Sequence, residues 1–242
     1  MKAFILAAGL GTRLRPLTEN QPKVMVEVGG KKILERTIRQ LKKAGVDDLV
    51  INTHYFPEVV PNYFGDGSKW GVKIQYSFEP EILGTAGGLK KVEDYFKNET
   101  EFLVVYGDNI FDLDFNSISS AQLNGSSCMV MLFDRTKSPN SGIAGGVVEV
   151  DEKNNISGFY EGVSRPEIPY VNGGVYKCTP EIFKLIPKNT FYDFGSQVFP
   201  EMLNKNLPLQ AYIIKKTEAV FGADTHETLK ATSDYLQKYD HN

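Results

Sequence analysis

The chain has 242 residues, of which 41% are hydrophobic, with two cysteines and a formal net charge of −3. This is enough apolar material for one large core, and the slight acidity excludes a general binder of nucleic acid or of a membrane surface, whose basic patch would normally show in the total. No apolar run is long enough to span a bilayer, the amino terminus reads as a strand and not a secretory leader, and Cys128 and Cys178 sit among strand-forming neighbours, so buried free thiols in a reducing cytoplasm are expected.

Phe4, Ile5 and Leu6 form an unbroken apolar run that reads as a buried parallel strand. It empties into Ala7, Ala8, Gly9 and Gly11. Small residues let backbone N–H groups approach a ligand, and successive N–H groups in such a turn make a concave anion site. Thr12 follows, then Arg13, whose planar guanidinium suits phosphate oxygens, and Lys23 after Pro22 adds a compact second cation. A polyphosphate held at the carboxyl end of the first strand is the expectation. The stretch is not a P-loop, and the dinucleotide pattern G-x-G-x-x-G fails because Leu14 stands where the third glycine belongs.

Lys23 to Val28 reads as a short extended piece closed by Gly29-Gly30. Ile33 to Ala44 carries apolar residues at helical spacing and stops at Gly45. Asp48 to Asn52 is the next buried strand, Pro57 to Phe64 a short helix, Lys73 to Phe78 a strand, Gly87 to Phe96 a helix and Phe102 to Tyr106 another strand. Strands alternating with helices predict a parallel sheet with helices on both faces and ligands at the carboxyl ends of the strands. That rule places Gly9–Arg13 and Asp108 on one edge.

The second half is strand-rich: Cys128 to Asp134, Gly145 to Asp151, Ile156 to Tyr160 and Gly174 to Cys178, separated by turn clusters at 138–142 and 152–155. Thr179-Pro180 reads as a capped helix start. A short helix at Phe199 to Leu203, a strand at Leu209 to Ile214 and a closing helix at Thr225 to Leu236 complete the chain.

These segments resemble, in order, the motifs of the sugar-1-phosphate nucleotidyltransferases: residues 1–16 with Pro22-Lys23, Glu79-Pro80-Glu81-Ile82-Leu83-Gly84-Thr85-Ala86-Gly87-Gly88, Val104-Val105-Tyr106-Gly107-Asp108-Asn109, Gly145-Gly146-Val147-Val148-Glu149, Phe159-Tyr160-Glu161, and Val171-Asn172-Gly173-Gly174-Val175-Tyr176. The resemblance covers nearly the whole chain. It implies a Rossmann-like α/β three-layer sandwich with a mixed, mainly parallel central sheet, the glycosyltransferase-A-like nucleotidyltransferase fold. One domain is expected, with a nucleotide-binding half at 1–115 and a sugar-binding half with the closing helix at 116–242.

The implied partners are a nucleoside triphosphate and a sugar 1-phosphate, with Mg2+ as cofactor. The sugar phosphate attacks the α-phosphorus in line and pyrophosphate leaves. Two anions must be brought together, so electrostatic screening and alignment supply most of the rate. Arg13, Lys23 and Asp108 are the expected catalytic residues. The nucleotide is expected against Leu6, Ala7, Ala8, Gly9, Gly11, Thr12, Arg13 and Lys23, with its base near Glu79, Gly84 and Thr85.

Magnesium takes carboxylate and phosphate oxygens together, and by resemblance Asp108 is its ligand. An aspartate at a strand end can also simply cap the next turn. Two alignments compete for the second carboxylate. One puts Gly222 at its place; the other, the Met-Asp-Thr form of glucose-1-phosphate cytidylyltransferases, puts Asp224 there. Asp224 is favoured, with a helix cap as its alternative, and His226 is read as structural.

For the sugar, resemblance points to Gly146, Glu161, Asn172 and Gly173. The family commonly has lysine after this glutamate, but Gly162 stands here, and Arg165 is the expected substitute on the sugar phosphate. Asn52-Thr53-His54-Tyr55, Glu79-Pro80-Glu81 and Asp193-Phe194 resemble guanylyltransferase-like members acting on mannose or heptose 1-phosphate, which makes GTP the expected nucleotide. Transfer from CTP or UTP to another sugar 1-phosphate, or a catalytically silent homologue that binds nucleotide sugars, are the alternatives. A homodimer is one assembly that the sequence leaves open.

Overall fold

The computed structural model describes residues 1–137, 141–143 and 145–239. Strand β1 (Lys2–Leu6) leads through a 3-10 turn (Thr12–Leu14) and a second one (Lys23–Met25) into a small ribbon, β2 (Glu27–Val28) and β3 (Lys31–Lys32). Then come α1 (Ile33–Lys43), β4 (Asp48–Thr53), α2 (Val59–Phe64), β5 (Lys73–Phe78), α3 (Gly84–Lys91), α4 (Glu93–Phe96) and β6 (Phe102–Tyr106). The chain continues through β7 (Asn109–Asp112), α5 (Phe115–Ser120), β8 (Cys128–Asp134), β9 (Val147–Val150), β10 (Ile156–Tyr160) and β11 (Tyr170–Cys178). A 3-10 helix (Pro180–Leu185), a π-helical turn (Phe194–Val198), α6 (Phe199–Asn204), β12 (Gln210–Ile213), β13 (Ala219–Gly222) and α7 (His226–Tyr239) close it.

Among the described residues one nine-stranded mixed sheet organises the fold, in the order β10-β9-β11-β6-β1-β4-β5, with β8 along the other side of β11 and β12 beside β8. The first-half strands β6, β1, β4 and β5 are parallel, and β11 joins them antiparallel to β6. This is the expected α/β architecture. Alternation along β1 divides the core: Ala3 and Ile5 join the cluster with Leu34, Ile38 and Leu41 of α1, while Phe4 joins Leu89 of α3, Phe96 of α4 and Phe199 of α6 on the opposite face. Helices therefore cover both faces, and α1 stops where Gly45 takes φ +70°.

A second, two-stranded ribbon stands apart from the large sheet. Strand β13 pairs antiparallel with β7, Gly222 opposite Asn109. Phe221, Ile110, Leu236, Leu14 and Val28 form a satellite core beneath it. This ribbon fixes the end of β13 beside the end of β6.

Several local expectations change. Lys23–Met25 is a 3-10 turn, because Met25 N–H bonds to Pro22 O and Val26 N–H to Lys23 O. The helix expected from Gly87 begins at Gly84 and is interrupted at Val92. Thr179 does not cap the helix after it: its hydroxyl is buried without a partner. The turn cluster at 138–142 lies outside the described residues at 138–140. Cys128 and Cys178 are buried free thiols as expected, yet they oppose one another on β8 and β11, with the sulfurs 3.4 Å apart. Burial pushes the Cys128 thiol upward, which keeps it protonated. Among the described residues no helix is long and apolar enough to cross a membrane.

Candidate active site

Two adjoining cavities open where β1 and β6 end. One, of about 250 Å³, is lined by Leu6–Gly9, Lys23, Gly84, Thr85 and Phe191 among others. The other, of about 330 Å³, is lined by Arg13, Glu161, Asn172, Ser196 and Asp224 among others. Thr85, Tyr106, Asp108 and Asp193 belong to both walls. A larger cavity, of about 500 Å³, lies between α1 and the end of α7 and shares no lining residue with these two. The chemistry is placed by the converging charges and not by size.

At the junction, Lys23 joins two carboxylates from distant parts of the chain. Its Nζ lies 2.8 Å from Asp108 Oδ2 and also pairs with Asp224 Oδ1. The residue is only 5% exposed. Burial works against its charge, but Asp108 and Asp224 together outweigh that and hold the Lys23 pKa above its ordinary value. Arg13 reaches Asp224 Oδ1 at 3.2 Å from the solvent side, with its side chain 64% exposed. A buried cation and an exposed one therefore both address Asp224.

Asp224 is not a helix cap. The first turn of α7 is closed by the Thr225 hydroxyl, which accepts from Thr228 N–H at 3.2 Å, while Asp224 N–H donates to the Thr228 hydroxyl. Its carboxylate is left facing Lys23 and Arg13. His226 Nε2 lies 2.8 Å from Arg15 O and ties α7 to the loop after β1.

Asp108 and Asp224 supply hard oxygen donors that already converge on one cation. Among the described residues no group of three or more His, Cys, Asp or Glu side chains could enclose a metal. Two protein carboxylates, with water and phosphate oxygens to complete the shell, match the habit of magnesium, which dehydrates reluctantly and binds through one or two carboxylates plus substrate phosphates.

The loop after β1 differs from a simple anion nest. Ala7 N–H donates to Asn52 Oδ1 at 2.6 Å, so this amide is taken before any ligand arrives. Asn52 Nδ2 donates to Glu79 Oε1 at 2.8 Å, and Leu83 N–H donates to Glu79 Oε2 at 3.0 Å. Glu79 is fully buried. Where a base edge was expected to meet it, its carboxylate stands in the cavity wall already accepting from Asn52 and Leu83, aligning Ala7 with Leu83. Gly88 is needed there, since a Cβ would lie 2.6 Å from Glu79 Oε1.

Gly11, at φ +60°, packs against Lys23, where a Cβ would lie 2.9 Å from that side chain's own. Gly11 and Thr12 line neither cavity. Gly11 folds the loop back over Lys23, and the Thr18 hydroxyl donating to Gly11 O at 2.8 Å secures it.

In the second cavity, Glu161 stands with its carboxylate between Gly146 and Gly195, at either of which a Cβ would collide with it. Desolvation by the walls and the negative charge of Asp193 raise its pKa, against a hydrogen bond from the Gly146 backbone. Gly146 thus serves Glu161, and Gly173 packs on Met131 with its carbonyl accepting from Asn109 Nδ2 at 3.3 Å. Asn172 lines the cavity but is internally engaged: Nδ2 donates to Tyr176 OH at 2.8 Å and Oδ1 accepts from Gly174 N–H at 3.0 Å. Tyr176 OH donates to Tyr106 OH at 3.1 Å, and burial pushes both phenols upward.

Arg165 stands away from the cavity where the missing lysine's substitute was expected. It is outside the described cavity walls, bonded to Glu167 at 2.6 Å and Glu149 at 3.3 Å, with its guanidinium over the Tyr160 ring. Three local partners satisfy it where it stands. Arg13 is the arginine among the described residues lining that cavity.

Sequence reasoning did not single out Tyr106, Phe191, Asp193 or Ser196 as site residues. Phe191 stands 57% exposed at the rim of the first cavity. The stretch before the π-helical turn has no periodicity to mark it, and only the pair Asp193-Phe194 carried a signal.

Comparison with known proteins agrees with this geometry. A family model described as nucleotidyl transferase matches residues 2–220. A UTP–glucose-1-phosphate uridylyltransferase of Synechocystis sp. is 34% identical over 224 residues, which is 87% of this chain and 57% of that protein. A D-glycero-alpha-D-manno-heptose 1-phosphate guanylyltransferase of Campylobacter jejuni is 36% identical over 217 residues, 88% of this chain and 93% of that protein. The chain thus spans little more than half of the first relative and nearly all of the second. A solved structure from Bacillus anthracis, described as a candidate glucose-1-phosphate thymidylyltransferase in complex with sucrose, shares the fold with a TM-score of 0.85 at 23% identity, over 100% of this chain and 97% of that one. By sequence and by fold, the chain belongs to the nucleotidyl transferase family.

Proposed function

We propose that the protein transfers a guanylyl group from GTP to a heptose or mannose 1-phosphate, releasing pyrophosphate and a nucleotide sugar. The observation that carries nucleotidyl transfer is the pair of cavities that meet at Asp108, with Lys23 and Asp224 at the junction. One cavity takes the triphosphate and the other the sugar phosphate, so the attacking oxygen and the α-phosphorus meet at that wall. The guanylyl reading is supported by the heptose 1-phosphate guanylyltransferase, whose length this chain nearly spans.

Arg13, exposed and flexible, swings from Asp224 onto phosphate oxygens as they arrive. Lys23 stays buried and holds Asp108 and Asp224 in place. Phe191 and Ile82 offer apolar surface to a base, and the Leu6–Gly9 backbone bounds the nucleotide. Glu161 accepts hydrogen bonds from sugar hydroxyls and orients the ring. Asp108 and Asp224 are the residues that would hold magnesium, which when bound neutralises phosphate charge and polarises the phosphorus under attack. A direct in-line displacement needs no protein nucleophile, and the geometry offers orientation and charge stabilisation instead.

The test is pyrophosphate release with magnesium, the common nucleoside triphosphates being screened against a panel of sugar 1-phosphates. GTP with heptose or mannose 1-phosphate is expected to give the highest kcat/KM. A better rate with UTP and glucose 1-phosphate would overturn the guanylyl reading but keep the reaction. Release with no pair, together with nucleotide-sugar binding, would overturn the reaction itself.

A further inference from the structure

Asp193 lines both cavities, yet no step above employs it. Its Oδ1 accepts from Thr85 N–H at 2.8 Å and from the Thr85 hydroxyl at 2.9 Å. That hydroxyl in turn accepts from Phe194 N–H at 2.9 Å. Next to it, Tyr192 O accepts from both Ala86 and Gly87 N–H at 2.9 Å, and Tyr192 N–H donates to Leu83 O at 2.9 Å. These bonds stitch 83–87 to 192–194 across about a hundred residues of sequence.

The approach is close because glycine permits it. Gly84 has φ +74°, and a Cβ there would lie 2.7 Å from Tyr192 O; one on Gly87 would lie 2.5 Å from Thr190 O. The first N–H groups of a helix have no partners within the helix. In α3 those of Thr85, Ala86 and Gly87 are satisfied by the other half of the chain. One side of the stitch presents Gly84 and Thr85 to the nucleotide cavity. The other presents Asp193, Gly195 and Ser196 to the sugar cavity.

We propose that Asp193 is a positioning residue that couples the two substrate subsites, its carboxylate locking the start of α3 to the Tyr192–Ser196 wall so that each subsite is built only when the other is. The inference rests on the two-substrate reading of the cavities. What the lock requires is an acceptor oxygen at Oδ1. A negative charge is not needed, and it acts unfavourably on Glu161. The amide of asparagine therefore preserves the lock, and alanine abolishes it.

The experiment compares wild type, Asp193→Asn and Asp193→Ala by amide hydrogen exchange without substrates and by pyrophosphate release with each substrate varied in turn. In Asp193→Ala the amides of Thr85, Ala86 and Gly87 are expected to exchange about tenfold faster or more, with kcat down about 10- to 100-fold and KM raised for both substrates. Asp193→Asn is expected to restore exchange protection, and kcat to within about threefold. If Asp193→Ala does not fold, Thr85→Val, which removes the hydroxyl half of the lock, carries the same comparison with a smaller effect. Unchanged exchange with a rise only in the KM for sugar 1-phosphate would make Asp193 a sugar ligand and overturn the coupling. Asparagine no better than alanine would overturn it too, by showing that charge is what matters. If wild type releases no pyrophosphate with any pair, the reaction fails as a reading, while the exchange comparison still decides whether Asp193 holds the two walls together.

Discussion

Lys23 and Asp108 pair at 2.8 Å although 85 residues separate them in the chain. With Asp224 on its other side, the Lys23 ammonium is what lets two carboxylates converge before any metal or phosphate arrives. Lys23→Met keeps the stem and removes the charge. Turnover is expected to fall by about 10² to 10³, the scale seen when a preorganised charge-stabilising donor is lost. The melting temperature of the variant should rise more on adding millimolar magnesium than that of wild type, because the carboxylates are left without their internal cation. Turnover within tenfold of wild type would reduce Lys23 to a strut.

Glu79 tests the cavity floor. Glu79→Ala strips partners from Asn52 Nδ2 and Leu83 N–H, and each buried donor left unsatisfied costs about 1–3 kcal/mol. A loss of about 2–5 kcal/mol in urea unfolding is expected. Base selectivity, measured as the ratio of kcat/KM among triphosphates, should stay the same. A changed ratio with undiminished stability would return Glu79 to the base.

The pH dependence of Glu161 follows from its raised pKa. The folded state holds this proton more tightly than the unfolded state. Its contribution to stability is therefore present below the ordinary value near 4.5 and is lost as pH rises through the raised one. Glu161→Gln removes the charge, so it should melt above wild type at neutral pH, with the gap closing as pH falls through the carboxylate range. The same variant should raise KM for the sugar 1-phosphate by about tenfold or more, the worth of a charged hydrogen bond. A lower melting temperature at neutral pH would contradict the origin of the shift.

The two arginines should behave oppositely. Arg13→Ala is expected to cut turnover by about 10² or more with an unchanged melting temperature, since the side chain is largely exposed and the proposed function puts its work on phosphate. Arg165→Ala removes exposed pairs with Glu167 and Glu149, and exposed pairs contribute little, about 0–1 kcal/mol. Its KM for either substrate should stay within about twofold, as expected of a residue outside the cavity walls. A selective rise in sugar-phosphate KM for Arg165→Ala would restore the role that its sequence position suggested.

The alternation of apolar runs and helical faces through Tyr106 made the parallel half of the sheet legible, because hydrophobic burial follows side-chain periodicity. β5 and β6 match their expected bounds, and α1 stops one residue short of its own. Ribbon β7–β13 escaped notice: each strand is four residues long and pairs with a partner about a hundred residues away. Cationic Arg13 and Lys23 and carboxylates Asp108 and Asp224 could be read from residue type and motif, and the structure brings all four together. What composition does not encode is whether a polar group is already spoken for. Glu79, Ala7 and Asn172 look like ligand-facing groups in the sequence, and only the fold shows that neighbours hold them. Asp193 is the converse: its partner Thr85 lies 108 residues away, beyond the reach of any local pattern.

The register of β13 on β7 acts as a caliper for the carboxylate pair. Asn109 faces Gly222, so Asp108 and Asp224 leave the same end of the ribbon, and the spacing between them is dictated by backbone pairing and not by the large sheet. A polypeptide emerging from the ribosome can therefore complete every strand of that sheet while its second acid is still unsynthesised or unplaced. Competence comes with the final hairpin-like closure: a chain cut after Gly222 keeps every strand of the large sheet but loses α7 and the second carboxylate.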